Sequence, residues 1–423
     1  MTARIEIPSH LSPLLALFAA HGEAAYPVGG CVRDTLLGTP PHDWDVAVTS
    51  VPELTQRICE EAGLRVVPTG IKHGTVTVLL PTNGNLTDRE GAYDPIECTT
   101  CRTEGGYTDG RHPDAVAFTG RITDDLSRRD FTVNAMAFVQ DEAGSLSVLD
   151  LFGGETDLAA GIIRCVGDPA TRFSEDALRM LRAVRFAVKL GFAIHPDTEA
   201  AIRALAPSLA RISRERVSEE LAKTLCSPDP AEGVALLRRT SLLPFVLPEG
   251  ADDVRDLPAE RFAALPCELI PRLAAMLFAL PADAREKNLA SLRLPTATRR
   301  AVTAICEATD LPTEPTPYTA RLWRHRLGDL ATTALAVRSA CEADEMTARD
   351  LASLIPAVEE SLARGEATTV AELAINGHDL LALGHREGRA LQETLRALLA
   401  QVLEDPAKND KNTLIALAQS GEN

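Results

Sequence analysis

The chain has 423 residues, of which 45% are hydrophobic, 24% charged and only 4% aromatic. That length holds two to four domains at about 100–200 residues each, the apolar content excludes a chain disordered throughout, and the aromatic shortage disfavours an all-β protein. A net charge of −17, from 60 acidic against 43 basic side chains, excludes a generally basic nucleic-acid binder but leaves room for a local basic patch.

In chain order, an apolar run at 14–20 behind Pro13 is too short to cross a bilayer and carries no credible cleavage site. No later stretch reaches membrane-spanning length, and the nine cysteines are scattered and odd in number. Free thiols in a reducing, cytoplasmic setting without membrane contact are the expectation. Up to about residue 150, short β-type runs (45–48, 76–80, 96–100, 133–138, 147–150) alternate with helical stretches such as 52–62. The polar, turn-rich segment 81–95 reads as a loop joining two strands. Beyond Gly154 strand signals nearly vanish, and helical patterns follow one another at 175–190, 196–205, 214–225, 231–240, 268–279 and 297–308, then from 370 to 418. The layout is an α/β head followed by an all-helical remainder.

The first chemistry-bearing constellation is Gly29-Gly30-Cys31-Val32-Arg33-Asp34, running on to Asp43-Trp44-Asp45-Val46-Ala47-Val48. Glycines let backbone N–H groups approach a bulky anion, and Arg33 falls at the start of the next helix, where a phosphate is also favoured. Asp43 and Asp45 are expected at alternate positions of one strand, on one face, with Cα atoms about 6–7 Å apart. Two carboxylates so placed repel unless a cation lies between them, and Mg²⁺ prefers one or two protein carboxylates plus substrate phosphates. The other reading, a solvated turn with two surface aspartates, leaves the coincidence of turn, arginine and acid pair unaccounted for. No phosphate loop of the Gly-x4-Gly-Lys-Ser/Thr type and no Gly-x-Gly-x-x-Gly occurs.

Further on, the polar loop 107–114 precedes Asp124-Asp125-Leu126-Ser127-Arg128-Arg129-Asp130-Phe131. On residues alone, the two arginines either contact a ligand or offset the three acids around them. Glu97, on the strand before this loop, is a candidate third carboxylate or an ordinary surface glutamate. Cys98 and Cys101 form a lone pair without the second pair that a structural zinc site needs, and read as packing residues.

At 174–186 a helix is expected with Ser174 as its cap and Glu175 and Asp176 in its first turn. Asp176, Arg179, Arg182 and Arg185 recur every third residue beside an apolar face of Leu178, Leu181, Val184 and Val188. The bland reading is a solvated stripe with an internal Asp–Arg pair. The sharper one is base recognition. A carboxylate accepts from the exocyclic amino group of cytosine or adenine, a guanidinium donates to their ring nitrogens, and the carbonyl oxygens of uracil and guanine are repelled.

The strings GGCVRDTLLG…HDWDVAVTS, SRRDFTVNA and SEDALRMLRAVRF resemble, in order, the signatures of the bacterial CCA-adding tRNA nucleotidyltransferase and poly(A) polymerase family, within the polymerase-beta-like nucleotidyltransferases. Asp150-Leu151-Phe152-Gly153-Gly154 resembles that family's hinge motif. Ile212-Ser213-Arg214-Glu215-Arg216-Val217…Glu219-Glu220-Leu221 resembles its next motif, read here as structural. Ile375-Asn376-Gly377-His378-Asp379-Leu380, with Gly384 and Gly388-Arg389, resembles the family's tail. The dipeptide His378-Asp379 lacks the partners of a phosphohydrolase metal dyad and reads as a loop dipeptide.

The resemblance implies an α+β protein. A nucleotidyltransferase head with a small mixed sheet would occupy 1–152, a helical base-reading neck 153–226, a helical body 227–365 and a tRNA-binding tail 366–423. It implies addition of C, C and A to tRNA 3′ ends from CTP and ATP without a template. Asp43 and Asp45 would hold two Mg²⁺ ions as catalytic and metal-binding residues. Gly29, Gly30, Arg33 and Arg129 would position the triphosphate, Asp176 and Arg179 would read the base, and Arg182 and Arg185 would bind the triphosphate or the tRNA end. Partners would be the tRNA acceptor arm and elbow, CTP and ATP. Three alternatives stay open: a poly(A) polymerase, disfavoured by the absence of a strongly basic C-terminal extension; a CC-only or A-only enzyme; and a catalytically silent tRNA binder, against which Asp43 and Asp45 argue. Between 161 and 225, eleven Lys/Arg against eight Asp/Glu leave a surplus of three positive charges, a local exception in an acidic chain.

Overall fold

The computed structural model describes residues 7–71, 74–86, 92–105, 115–140 and 145–420. It is mixed α+β and 58% helical, with its principal sheet near the N-terminus. The chain packs as two compact units, Met1–Thr224 with Ala235–Val246, and Leu225–Val234 with Leu247–Asn423.

In the first unit, five strands form one sheet: β1 (Ala25–Pro27), β2 (Asp45–Val48), β3 (Arg65–Gly70), β4 (Thr75–Pro81) and β5 (Tyr93–Thr100), in the order β1-β2-β5-β4-β3. Only β2 and β5 run parallel; the other neighbours are antiparallel. Alternation builds the core, since Val76, Val78 and Leu80 of β4 and Ile96 and Cys98 of β5 are fully buried. Helix α1 (Leu11–Ala20) buries Leu11, Leu14 and Phe18, α2 (Gly30–Leu36) follows the Gly-Gly turn, and α3 (Pro52–Glu61) buries Thr55, Ile58 and Cys59. The connection between β4 and β5 begins after Pro81 and ends before Tyr93, so both ends of the expected 81–95 loop are strand.

Two hairpins and a helix follow: β6 (Arg102–Gly105) with β7 (Ala115–Phe118), α4 (Ile122–Ser127), then β8 (Met136–Gln140) with β9 (Leu146–Asp150). The expected strand 133–138 is shortened at its start, because Thr132–Asn134 form a 3-10 turn. The Thr132 hydroxyl donates to Asp157 at 2.7 Å and the Asn134 amide to Asp130 at 3.3 Å, which draws this segment off the extended path. A bridge between Val28 and Ala137 ties the second hairpin to β1. Val28, Ala47, Cys101, Ile122, Leu126 and Ala137 form the apolar cluster beneath that junction. Cys98 and Cys101 are both fully buried there and in the sheet, as packing residues.

After α5 (Gly154–Ala160) the only strands among the described residues are the two-residue β10 (Ile162–Ile163) and β11 (Ala193–Ile194), paired in parallel. The single helix expected at 175–190 is two. Helix α6 (Pro169–Glu175) starts on Asp168, whose carboxylate accepts from the Thr171 N–H, and α7 (Leu178–Leu190) follows after a break. Asp176 is extended (φ −143°, ψ 105°) and its carboxylate accepts from the Leu178 N–H, while the Ser174 hydroxyl turns back to the Ala170 carbonyl. The sequence pattern hides the break because a capping Asp suits both a first turn and a helix end. Helices α8 (Pro196–Leu205) and α9 (Arg214–Leu225) complete the part of this unit used below.

The second unit is helical throughout its described residues. Helices Leu269–Leu277, Thr296–Glu307 and Ala331–Cys341 pack together, and Pro317–Leu327 and Ala331–Cys341 both lie against Glu345–Ala363. Toward the C-terminus, Arg389–Glu404 and Lys411–Ser420 bury Leu398, Val402 and Leu414 in one cluster.

Candidate nucleotide site

Gly29 begins the site. Its φ of +77° favours glycine, and a Cβ there would stand 2.6 Å from Arg129 Nη1. The turn is therefore built for close approach of one guanidinium. Val28 N–H donates to the Asp45 carbonyl at 2.9 Å and Gly29 N–H to the Met136 carbonyl at 3.1 Å, so β2 and β8 fix its two sides.

β2 begins at Asp45, so Asp43 precedes the strand rather than lying on it. The alternation survives: Trp44 is buried at 6% exposure while Asp43 and Asp45 on either side are exposed. The parallel register sets Glu97 of β5 abreast of Asp45. Crowding by surrounding protein, then repulsion from Asp43 and Glu97, push the Asp45 carboxyl up to about 6, against a smaller opposing pull from Arg129. Asp45 still keeps solvent contact on one side. Among the described residues no three His, Cys, Asp or Glu stand close enough to form a complete metal site by themselves. An exposed, mutually repelling carboxylate set fits a hard cation that takes its remaining ligands from substrate phosphates.

Arg129 donates to Asp125 Oδ2 at 3.0 Å and Arg128 to Asp125 Oδ1 at 2.6 Å. Burial of Asp125 works against its charge, but these two guanidiniums outweigh it and hold the carboxyl below the ordinary range. Arg33 is buried at 3% exposure and does not lie open at the helix start. Its Nη1 donates to Asn134 Oδ1 at 2.6 Å and its Nε and Nη2 meet Asp34 at 2.8 and 2.7 Å. Asn134 continues to Asp130, which takes Arg182 Nε and Nη2 at 2.7 Å each. A continuous polar chain thus links α2, the 3-10 turn and α7.

The internal Asp176–Arg179 ion pair of the bland reading is not formed. Arg179 instead donates to Glu175, to the Arg172 carbonyl at 3.2 Å and to the Arg128 carbonyl at 3.1 Å. Asp176 takes Arg216 Nη2 at 2.8 Å and Nη1 at 3.4 Å from α9. Arg185 donates to Glu220 of the same helix at 2.7 Å. The break at Asp176 separates two residues that a continuous helix would have juxtaposed. Arg216 and Glu220 of the 212–221 motif, read from the sequence as structural, both pair with this polar stripe. Asn134, Asp130 and Arg216 are the residues that sequence reasoning left without a part. Their signal was present, as polar residues interrupting apolar motifs, but no spacing rule pairs positions 40 or 50 residues apart.

Below the hinge, Asp150 accepts from the backbone N–H groups of Phe152, Gly154 and Glu155. A Cβ on Gly154 would lie 2.4 Å from the Thr132 carbonyl oxygen, so this glycine allows α5 to dock against the 3-10 turn. The loop 107–114 lies outside the described residues. In the second unit, His378 and Asp379 are not in a loop. They occupy the first turn of helix Gly377–Ala382, where Asp379 closes a capping box with Asn376 and pairs with Lys411 at 2.8 Å.

Three family models match the chain: the poly A polymerase head domain over residues 25–164, the RNA and SrmB- binding site of polymerase A over 191–254, and tRNA nucleotidyltransferase domain 2 over 272–418. The CCA-adding enzyme of Limosilactobacillus fermentum is 35% identical over 414 residues, covering 96% of this chain and 95% of that protein. The CCA-adding enzyme of Geobacillus thermodenitrificans is 36% identical over 401 residues, covering 94% and 93%. Among solved structures, the Bacillus stearothermophilus CCA-adding enzyme in complex with CTP superposes with a TM-score of 0.79 at 32% identity, over 98% of both chains. The Thermotoga maritima CCA-adding enzyme complexed with tRNA shares the fold, with a TM-score of 0.68 at 21% identity over 99% of this chain and 97% of that one.

Proposed function

The chain belongs to the bacterial CCA-adding enzyme family, and on that premise we propose how its own residues divide the work. It is a nucleotidyltransferase that adds C, C and A to the 3′ end of tRNA from CTP and ATP, releasing pyrophosphate at each step. The family is generally dependent on divalent metal. In the transfer, the tRNA 3′-oxygen forms a bond to the α-phosphorus, and the bond from that phosphorus to the departing pyrophosphate breaks.

Asp43 and Asp45 would hold Mg²⁺, with Glu97 beside them. A bound cation supplies neutralisation of the phosphates and acidifies the 3′-hydroxyl. Gly29 and Gly30 admit the triphosphate close to the backbone, Arg129 meets it across Gly29, and Arg182 and Arg185 flank it or the tRNA end. Arg33, being buried, braces Asn134 rather than standing in the open site.

Asp176 and Arg179 read the base through what their own partners leave over. A carboxylate offers about four acceptor positions, and Asp176 has three taken by Leu178 and Arg216. A guanidinium has five N–H donors, and Arg179 has three engaged. One acceptor and a donor pair remain, which suits the amino group and ring nitrogen of cytosine or adenine. The head at 1–152 carries the chemistry, the neck at 153–226 the base reading, the body at 227–365 the connection, and the tail at 366–423 the grip on tRNA. A cytoplasmic location is the reading that suits a tRNA substrate; separately, none of the described helices is long and apolar enough to cross a membrane.

The observation that carries this reading is the exposed pair Asp43 and Asp45, set beside Glu97 and faced by Arg129. The test is extension of a tRNA ending before its CCA, with Mg²⁺ and CTP, ATP or both, resolved to single nucleotides. Two additions with CTP and a third only with ATP present are expected. Asp45→Ala is expected to abolish extension with an unchanged unfolding midpoint. Wild-type turnover in that variant removes the acid pair from the reaction, and long ladders with ATP alone indicate a poly(A) polymerase.

A further inference from the structure

Phe186 of α7 is buried at 6% exposure, yet three guanidiniums surround its ring. The central carbons of Arg185, Arg182 and Arg33 lie 4.2, 5.3 and 5.4 Å from its centroid. Phe131 packs against it edge-on, with centroids 5.8 Å apart and planes at 78°. The arginines come from two elements, α2 and α7, and each has its own acid: Asp34 for Arg33, Asp130 for Arg182, Glu220 for Arg185. Asp130 and Glu220 each act on both Arg182 and Arg185, and Asn134 links Arg33 to Asp130, but no one of these acids is hydrogen-bonded to all three guanidiniums. Phe186 touches all three. An aliphatic side chain would fill the same space without presenting the electron-rich face that attracts cations.

We propose that the Phe186 ring is the positioning platform that, braced from beneath by the buried Arg33, holds Arg182 and Arg185 in one preorganised cluster for polyphosphate, and so sets the affinity for the triphosphate that CTP and ATP share. This rests on the reading above that Arg182 and Arg185 face the triphosphate or the tRNA end. Phe186 touches no reacting atom; it acts through the arginines. Base choice, which lies with Asp176 and Arg179, does not pass through it.

The test replaces Phe186 in the full-length enzyme by phenylalanines carrying one, two and three ring fluorines. These weaken the ring face stepwise while nearly preserving its shape. KM for CTP and for ATP, kcat, inhibition by inorganic pyrophosphate and the unfolding midpoint are measured for each. Both KM values and the pyrophosphate inhibition constant are expected to rise together along the series, reaching about 3- to 30-fold, the scale of a single cation–π contact. Turnover at saturation, the preference for C and A, and the unfolding midpoint are expected to stay level. Constant KM values across the series overturn the proposal, whatever a coarser change such as Phe186→Leu does to folding. Arg182→Ala separates the two layers. If it raises both KM values while the fluorine series stays flat, the platform fails and the triphosphate reading stands. If it leaves both unchanged, the triphosphate reading fails and the platform falls with it.

Discussion

Asp176 shows how a single side chain can hold two positions at once. It caps α7 through the Leu178 N–H and it binds Arg216, and both tasks fix the carboxylate that is proposed to meet the base. Asp176→Ala is expected to let UTP and GTP into the product, seen as misincorporation in the single-nucleotide extension assay; unchanged selectivity would place base reading elsewhere. The cap lost with it destabilises by about 1 kcal/mol, so the selectivity change is to be read well below the unfolding temperature. Asp130 carries a different load. Its burial opposes the charged form, but Arg182 and Asn134 outweigh that and hold its carboxyl below the ordinary 3.8. A depressed folded-state pKa contributes stability that is complete above the unfolded value and is lost as pH falls through the folded one. Asp130→Asn breaks a buried pair, at a cost of about 3–5 kcal/mol. That deficit is expected at pH 7 and is expected to shrink below about pH 4 as wild-type Asp130 also protonates. Urea midpoints of both proteins at pH 7 and pH 3.5 check the sign, and a deficit independent of pH would mean that charge plays no part.

Among the elements, the junction of α5 with the 3-10 turn is the tightest. Gly153 and Gly154 sit side by side but for different reasons. Gly153 has φ +78° with open space around its missing Cβ, whereas Gly154 faces the Thr132 carbonyl oxygen and Met136. Gly153→Ala therefore costs backbone strain of about 1 kcal/mol. Gly154→Ala forces α5 off the turn, which costs about 1–3 kcal/mol by overpacking. It also moves Asn134, the link between Arg33 and Asp130. Gly154→Ala is expected to lower the unfolding midpoint more than Gly153→Ala and, unlike it, to raise KM for both nucleotides. Equal effects would mean that α5 docks with room to spare. The pair Gly-Gly was legible in the sequence as a hinge motif. Which glycine meets which carbonyl was not, because the Thr132 turn replaces a strand that its apolar pattern favours.

For the whole molecule, the second unit depends on buried arginines that cap helix ends. Arg321, 5% exposed, donates to the carbonyls of Leu403 and Glu404 at 2.6 and 2.9 Å and pairs with Glu366 at 3.3 Å. It closes the C-terminus of helix Arg389–Glu404, whose last carbonyls have no partner within the helix. Arg321→Ala is expected to expose that helix to limited proteolysis and raise KM for tRNA several-fold, with KM for CTP unchanged; a parallel rise in both would mean the tail is not a separate tRNA contact. The sequence by itself determined the class of the fold, the order of head and helices, the turn at Gly29 and Gly30 and the acid pair, since each of these is written in neighbours a few residues apart. The family follows from the same local strings. Only the tertiary structure decided the partnerships: Arg216 rather than Arg179 for Asp176, Asn134 for Arg33, Glu97 beside Asp45, and one ring beneath three arginines. The long-range pairings among these join positions from 40 to 153 residues apart. Local periodicity carries no information about which of several arginines will meet which acid. That choice is made by which side chains of α9 come within reach of α7 and the break before it, and by the register of β2 on β5.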